Sequence, residues 1–274
     1  MRKILTDVHT HSTFSADGVS TLSEMLSTAC KLGVAYYGVS EHFDFENSGK
    51  KSIYWTDESA YFSSARRLQA EYAGRMRVLV GAEIGFMENT DLHRSAKELI
   101  ERYRPDFVVN SIHRVGFGAL DERGQRLSKQ DVYKNYLSRI LRSLDAPYEY
   151  DIVGHLGFCT RYAPYPDRGL GYADYKTELD EIFKKIIEKD KILEVNAKPA
   201  LARFDGDAPI DFVPQADVLE GYYRLGGRKI SYASDAHDVA SITQGREKVV
   251  AVLKEIGFTH LTVPCAGERI EIEL

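Results

Sequence analysis

Short runs of apolar and β-branched residues alternate along this chain with longer segments in which apolar residues recur every three or four positions. The first pattern is typical of buried parallel strands, and the second is typical of amphipathic helices. Strands are predicted at 4–11, 34–40, 77–84, 107–112, 150–154, 192–196 and 229–234, with two further strands near 260–263 and 269–274. Helices are predicted at 21–33, 57–72, 92–103, 129–144, 175–189, 214–225 and 241–256.

The alternation of strand and helix predicts parallel strands joined by right-handed crossovers. Seven such units are one short of a regular eightfold barrel, whose usual length of about 250 residues is close to the 274 of this chain. We therefore predict an α/β fold in which residues 1–274 form a single domain.

Two local patterns add detail to this prediction. Thr21 and Glu24 have the spacing of a capping box that opens the first helix, and Gly33 is predicted to end that helix. The polar segment 43–56, which carries Trp55, is predicted to be a long surface loop over a site.

Histidines and acidic residues fall where the predicted strands end. His9 and His11 are one residue apart, so in a strand their side chains would point to the same side. Similar residues end or follow the later strands: His42, Glu83, His113, His155, Asp235 and His237. In a parallel barrel these strand ends share one face. Six of the eight histidines would then meet there, whereas His93 and His260 are interpreted as structural.

The cysteines restrict the kind of metal site that this face could hold. Cys30, Cys159 and Cys265 are odd in number and lack a C-x-x-C spacing, so a thiolate site is not indicated. Imidazole and carboxylate ligands suit Zn²⁺, Fe²⁺ or Mn²⁺. Six histidines with several carboxylates exceed what one tetrahedral ion can use, and Glu83 could bridge two cations. More than one divalent ion is therefore predicted.

Charge and hydropathy exclude other classes of protein. A net charge of −5 and a pI near 5.9 argue against a protein that binds nucleic acid through a basic face. The longest apolar runs are far shorter than the ~20 residues of a membrane span, and the N-terminus has no secretory apolar region. We expect a cytoplasmic protein with no membrane partner.

The motifs occur in a familiar order. They are Asp7-Val-His9-Thr-His11, Glu41-His42, Glu83, Ser111-Ile-His113, Gly154-His155-Leu156 and Ser234-Asp235-Ala-His237. Together they resemble the PHP (polymerase and histidinol phosphatase) superfamily over nearly the whole chain. Residues 109–115 with the glycine loop after them, and 154–162, are most similar to the histidinol-phosphate phosphatases. The resemblance implies a distorted, TIM-like (β/α)7 barrel with three divalent metal ions.

Carried over by position, the resemblance also implies a ligand set for each ion. His9, His11, Glu83 and Asp235 would surround the first ion, and Glu83, His113 and His155 would hold the second. His42, His237 and Asp17 would hold the third. Many phosphatases of this family have histidine where this chain has Asp17, so the affinity and metal preference of the third site are open. Gly157 and the 197–199 segment also differ from the sequences expected of the subfamily.

The reaction predicted is hydrolysis of a phosphomonoester by a hydroxide that bridges the metal ions. Arg161 is expected to clamp the phosphate, and the family uses an arginine near this place similarly. Lys198, Arg114 and Arg203 are weaker candidates for phosphate binding. Asp235, His237 and Arg161 are the predicted catalytic residues, and either Asp235 or a metal-bound water would protonate the leaving oxygen.

The small-molecule partner implied is L-histidinol phosphate, an intermediate of histidine biosynthesis. Its amine and imidazole should be recognised by carboxylates and aromatic residues near the mouth of the site, for which Asp44, Glu46, Phe45 and Trp55 are available.

Several alternatives stay open. The same metals could serve a nucleotide phosphatase or a nuclease acting on DNA ends, which would need a basic, aromatic channel. Amidohydrolases also begin with His-x-His, but they normally need a bridging lysine where this chain has Ser111-Ile-His113. A scaffold whose metals only support folding would tend to lose ligands. Whether the protein forms a homodimer also stays open.

Overall fold

The computed structural model describes residues 5–46, 48, 50–200 and 209–274. Its strands are β1 (Leu5–Asp7), β2 (Val34–Val39), β3 (His42–Phe45), β4 (Lys51–Trp55), β5 (Arg77–Gly85), β6 (Phe107–Ser111), β7 (Ile152–Val153), β8 (Ile192–Asn196), β9 (Ile230–Ala233), β10 (His260–Cys265) and β11 (Glu268–Glu273). Its helices are α1 (Leu22–Leu32), α2 (Glu58–Tyr72), α3 (Thr90–Tyr103), α4 (Lys129–Ser143), α5 (Cys159–Tyr162), α6 (Lys176–Glu188), α7 (Ala216–Arg224) and α8 (Arg246–Ile256).

Seven strands pair in parallel in the order β1-β2-β5-β6-β7-β8-β9. The ring closes where Thr10 forms a parallel bridge with Ala236 and the His11 amide donates to the Ala236 carbonyl at 2.8 Å. At this seam the Val8 amide reaches the Tyr232 carbonyl only at 3.4 Å, so closure is looser than along the other ladders. The predicted seven-stranded, distorted TIM-like barrel is confirmed.

The first helix follows the local rules that predicted it. Thr21 accepts a hydrogen bond from the Glu24 amide while the Glu24 side chain accepts one from Thr21, which completes the capping box. Gly33 ends the helix in the left-handed conformation with φ of 77°. The side chains of Leu22, Met25, Leu26 and Ala29 are buried on one face. That spacing of three and four residues packs α1 against the barrel.

The prediction of a surface loop at 43–56 is wrong. β3 continues the register of β2 along β5, since Val39 pairs with Val80 and His42 pairs with Glu83. β4 then returns antiparallel to β3. The physical reason is an aromatic cluster: the Trp55 ring makes T-shaped contacts with Phe43 at 5.3 Å and with Phe45 at 5.2 Å. The alternation Phe43-Asp44-Phe45 is the period-two signal that the polar composition of the segment concealed.

The opposite end of the barrel is filled with apolar side chains. The antiparallel hairpin β10–β11 packs there against residues from the strands, in a buried cluster of Val8, Leu79, Phe107, Val109, Ile152, Ile192, Val263, Cys265 and Ile272. The Phe107 ring occupies space that a side chain at Gly81 or Gly38 would need, because a Cβ there would lie 2.4 Å or 2.9 Å from it. These two glycines therefore make room for one large ring in a narrow barrel.

Within the described ranges, no helix has both the length and the apolar composition needed to cross a lipid bilayer.

Candidate metal centre

Six imidazoles lie together at the carboxyl ends of the parallel strands. The rings of His11 and His42 are stacked with centroids 4.2 Å apart, and those of His11 and His237 are 4.3 Å apart. His113 lies 5.2 Å from His42 and also 5.2 Å from His155. His9 joins the cluster 5.0 Å from His11. His9 and His11 follow β1 rather than lying within it, but their side chains still converge as the sequence predicts.

Glu83 lies at the centre of this cluster on β5. Its Oε2 atom is 2.8 Å from His42 Nδ1, 3.2 Å from His9 Nε2 and 3.4 Å from His11 Nε2. Its Oε1 atom is 2.9 Å from His155 Nε2 and 3.1 Å from His113 Nε2. Burial would raise the pKa of Glu83, but the surrounding imidazoles hold it well below the usual value. The carboxylate is therefore ionised, and its two oxygens face two different sets of imidazole nitrogens.

Asp235 follows β9 and faces both histidines and cations. It lies 3.5 Å from His11 Nε2 and accepts a hydrogen bond from Arg161 at 2.8 Å. Lys198 Nζ is 3.5 Å from its other oxygen. Against the effect of burial, Lys198 and Arg161 hold the pKa of Asp235 well below its usual value. The backbone of Asp235 is left-handed, with φ of 52°, a conformation that aspartate tolerates better than most residues.

Asp17 reaches the outer side of the same cluster. Its two oxygens lie 3.2 Å from His237 Nε2 and 3.6 Å from His42 Nε2. The side chain is 41% exposed, whereas Glu83 is almost fully buried. Asp17 is thus placed beside the two histidines with which the resemblance groups it.

The residues present fit divalent metal ions. Within the described part of the chain, three groups have one ligand atom per residue within 4.8 Å of one another: His9–His11–Asp235, His42–Glu83–His113 and His11–His42–His237. Each group shares at least two members with one of the ligand sets implied by the family resemblance. Three buried atoms that face other ligand candidates, His42 Nδ1, Glu83 Oε2 and His237 Nε2, have no hydrogen-bond partner among the described residues. Buried polar atoms normally have a hydrogen-bond partner. These oxygen and nitrogen atoms are therefore suited to binding cations rather than one another.

The second nitrogen of several imidazoles is held outside the cluster. His113 Nδ1 donates to Asp44 at 2.7 Å, and His9 Nδ1 donates to Glu194 at 2.7 Å. His237 Nδ1 lies 2.8 Å from the Asp235 carbonyl. Such contacts direct Nε2 into the cluster, and a hydrogen held on Nδ1 leaves Nε2 available to a metal ion.

A pocket of about 230 Å³ opens over the cluster. Asp17, Asp44, Arg161 and Lys198 line it together with six other ligand candidates, and Tyr54, Phe158 and Tyr162 supply aromatic surface. Arg161 is buried, whereas Lys198 is about one third exposed. The predicted phosphate-binding pair therefore faces the pocket.

Other predicted site residues lie elsewhere. Arg114 donates to the Phe45 carbonyl and lines a separate pocket with Phe86 and Arg139, so the structure does not place it at the phosphate site. Phe45 and Trp55 are taken up by the aromatic core, and Glu46 is exposed. Arg203 lies outside the described residues. Of the residues suggested for recognising the organic part of a substrate, Asp44 reaches the pocket.

Sequence reasoning missed three buried polar residues that support the cluster. Glu41 accepts hydrogen bonds from Ser12 and Ser15, and Ser15 in turn accepts from the His42 amide at 3.0 Å. Glu194 and Asn196 on β8 contact His9 and Arg161. For Glu194 a usable signal was present, because a charged residue inside an otherwise apolar parallel strand is rarely buried without a partner.

Comparison with known proteins agrees with this geometry. A family model described as "PHP domain" matches residues 7–198. This chain belongs to the PHP domain family. The family predicted from the motifs is therefore confirmed, and the match extends from the segment that carries His9 to Lys198.

Relatives with assigned names cover nearly the whole chain. The histidinol-phosphatase of Lactococcus lactis subsp. lactis is 28% identical over 99% of this chain and 97% of its own length. A probable histidinol-phosphatase of Thermotoga maritima is 27% identical over 94% of each chain. The crystal structure of the Lactococcus lactis histidinol phosphate phosphatase, complexed with zinc, L-histidinol and phosphate, superimposes with a TM-score of 0.76 and 27% identity, covering 97% of this chain and 98% of that one.

Proposed function

We propose that this protein is a metal-dependent phosphomonoesterase that hydrolyses L-histidinol phosphate to L-histidinol and phosphate. The observation that carries the proposal is one pocket in which ionised Glu83 lies among imidazoles while Arg161 and Lys198 face the opening. The Lactococcus lactis relative of similar fold binds zinc, L-histidinol and phosphate, which supports the same substrate here.

The charges of the pocket favour a metal-dependent reaction. Four carboxylates line it, namely Asp17, Asp44, Glu83 and Asp235, against the two cationic side chains of Arg161 and Lys198. With neutral imidazoles and no added cations, this surface would repel a phosphate dianion. Three divalent ions would reverse the sign of the field, and we propose that number, with Zn²⁺, Fe²⁺ or Mn²⁺ as the candidates.

We assign the ions to the residues implied by the resemblance: His9, His11, Glu83 and Asp235; Glu83, His113 and His155; and His42, His237 and Asp17. When bound in such a site, divalent ions neutralise phosphoryl oxygens and make water a nucleophile near neutral pH. The imidazoles must be unprotonated to bind, so loading the site releases protons.

Arg161 is proposed to bind the phosphate. Asp235 and Asn196 hold its two terminal nitrogens, and among the described residues its buried Nε atom has no hydrogen-bond partner. A guanidinium fixed at both terminal nitrogens, with further N–H donors unused, can orient a phosphoryl oxygen without a large loss of side-chain entropy. Lys198 adds a second positive charge beside His237, with Nζ 3.1 Å from Nδ1.

Asp235 is better suited to hold a cation than to donate a proton. Lys198 and Arg161 lower its pKa, which keeps it ionised near neutral pH. The role of Asp235 and His237 in proton transfer to the leaving oxygen stays a prediction.

Three further expectations concern the domain organisation, the cellular location and the oligomeric state. That residues 1–274 form one domain is supported by the seam between the segments that follow β1 and β9, where Thr10 meets Ala236. A cytoplasmic location would suit a biosynthetic enzyme. A homodimer stays a prediction.

Phosphate release tests the proposed function. The protein loaded with Mn²⁺, Fe²⁺ or Zn²⁺ should hydrolyse L-histidinol phosphate faster than nucleoside 3′-phosphates or single-stranded DNA. His113→Ala should abolish this activity while circular dichroism stays unchanged.

A preference for nucleotides or DNA ends would favour the alternative assignment as a nucleotide phosphatase or nuclease, for which Tyr54, Phe158 and Tyr162 offer stacking surface. If the loaded protein hydrolysed no phosphoester at any pH, the enzyme assignment itself would fail.

A further inference from the structure

β8 supplies none of the predicted metal ligands, yet it carries two polar side chains that are completely buried. Glu194 and Asn196 are each 0% exposed. They are two residues apart, so both point to the same side of the strand, toward the metal centre. A buried carboxylate is costly unless its oxygens are satisfied. The contacts of these two residues therefore need an explanation.

The contacts of Glu194 determine where the proton of His9 lies. Glu194 Oε2 is 2.7 Å from His9 Nδ1, and Oε1 accepts hydrogen bonds from the His155 amide at 3.1 Å and from Asn196 Nδ2 at 2.7 Å. An ionised carboxylate only accepts hydrogen bonds. His9 Nδ1 must then carry a hydrogen, and Nε2 is directed into the cluster, 3.2 Å from Glu83 Oε2.

Asn196 extends the same chain of hydrogen bonds to the other side of the centre. Its amide nitrogen also donates to Asp235 Oδ2 at 3.2 Å, and its amide oxygen accepts from Arg161 and from the Lys198 amide. Each partner is a pure donor or a pure acceptor at the contact, so the orientation of the Asn196 amide is fixed by the network.

We propose that Glu194 is a positioning residue that holds His9 in the metal-binding tautomer, and that Asn196 couples it to Asp235 and Arg161. The expected effect on metal affinity rests on the proposed metal-dependent function, whereas the hydrogen on His9 Nδ1 does not depend on it. Neither residue belongs to the ligand sets assigned above. Partners of this kind typically change metal affinity by about 10- to 100-fold when removed.

Glu194→Gln is a sharp test because the side chain keeps its shape and changes only its hydrogen-bonding capacity. If the new amide nitrogen faces His9, it donates to Nδ1 and forces the hydrogen onto Nε2. If it faces the other way, it meets two donors, the His155 amide and Asn196 Nδ2. Either orientation breaks one contact that the carboxylate satisfies.

The first measurement is the His9 tautomer in the metal-free protein, read from long-range ¹H–¹⁵N correlation spectra of histidine rings. We expect a hydrogen on His9 Nδ1 in the wild-type protein and a larger share of rings without it in Glu194→Gln. A wild-type His9 whose Nδ1 carries no hydrogen would overturn the proposal, whether or not the variant folds. This readout is independent of substrate, so it can succeed even if L-histidinol phosphate is not hydrolysed.

The second measurement is Zn²⁺ affinity by competition with a chromophoric chelator. Glu194→Gln should weaken binding of the most affected ion about 10- to 100-fold. Glu98→Gln, an exposed change on α3, is the matched control and should leave affinity unchanged. Asp44→Asn should alter the His113 signal and not that of His9, since Asp44 contacts His113 Nδ1. A folded Glu194→Gln protein with wild-type Zn²⁺ affinity and an Nδ1–H His9 would contradict the assignment.

Discussion

Along β5, Leu79 and Glu83 point to the same face of the strand, four residues apart, yet they lie in opposite surroundings. Leu79 packs in the apolar cluster closed by the β10–β11 hairpin, and Glu83 lies among five imidazole rings. β8 repeats the change over a shorter distance, from Ile192 in the apolar cluster to Glu194 against His9. Each strand therefore contributes to both the core and the site.

The apolar and polar ends of the barrel differ in what stabilises them. The apolar end is filled by side chains alone, so its stability comes from burial and close packing. The polar end gathers carboxylates and imidazoles whose buried atoms are only partly satisfied by one another. We propose that bound cations offset the cost of burying these charges. Changes at the two ends should consequently have separable effects, on unfolding at one end and on metal binding and turnover at the other.

Glu83→Gln should have the largest effect. Replacing the central carboxylate removes the charge that two predicted ions share, so we expect phosphate release from L-histidinol phosphate to fall by at least about 10³-fold. The apolar end should keep the fold intact. Steady-state kinetics and circular dichroism, with Glu98→Gln as the surface control, measure both quantities. Activity within tenfold of wild type would show that Glu83 is not central.

Phe107→Ala should affect stability rather than turnover. The ring is 1% exposed and fills the space beside Gly38 and Gly81, so its loss leaves a cavity. We expect the free energy of unfolding to fall by about 3–5 kcal/mol, measured by denaturant titration. The turnover of the folded fraction should stay near that of wild type. A selective loss of turnover at unchanged stability would mean that the two ends are not independent.

Asp17→Asn should give the smallest of these effects. Asp17 is 41% exposed, so its charge is better screened by solvent than that of Glu83. We expect the weakest-bound ion to lose about tenfold in affinity, measured by titration of the metal-free protein with Mn²⁺. An affinity unchanged within twofold would remove Asp17 from the proposed ligand set.

Much of the fold was predictable because its signals are local. The capping box of Thr21 and Glu24, the left-handed Gly33 and the apolar runs of the parallel strands each act within a few residues. The β3–β4 hairpin was missed because its stability comes from Phe43, Phe45 and Trp55 packing together across a polar segment. Composition averaged over 43–56 hides that contact.

The candidate site was predictable where side chains sit at strand ends and was not predictable where they act through a partner. The grouping of His9, His113 and His237 follows from barrel topology. Arg114 was misplaced because a side chain next to His113 in sequence points away from the pocket to the Phe45 carbonyl. Glu194 was missed because its role depends on meeting His9, which is 185 residues away.

Metal content tests the central claim most directly. Metal-free protein is loaded with excess Mn²⁺ or Zn²⁺, desalted, and assayed for metal per chain by inductively coupled plasma mass spectrometry. Because six histidines and three carboxylates exceed the needs of one ion, we predict about three ions per chain. A correctly folded protein that retains one ion or none would contradict the account.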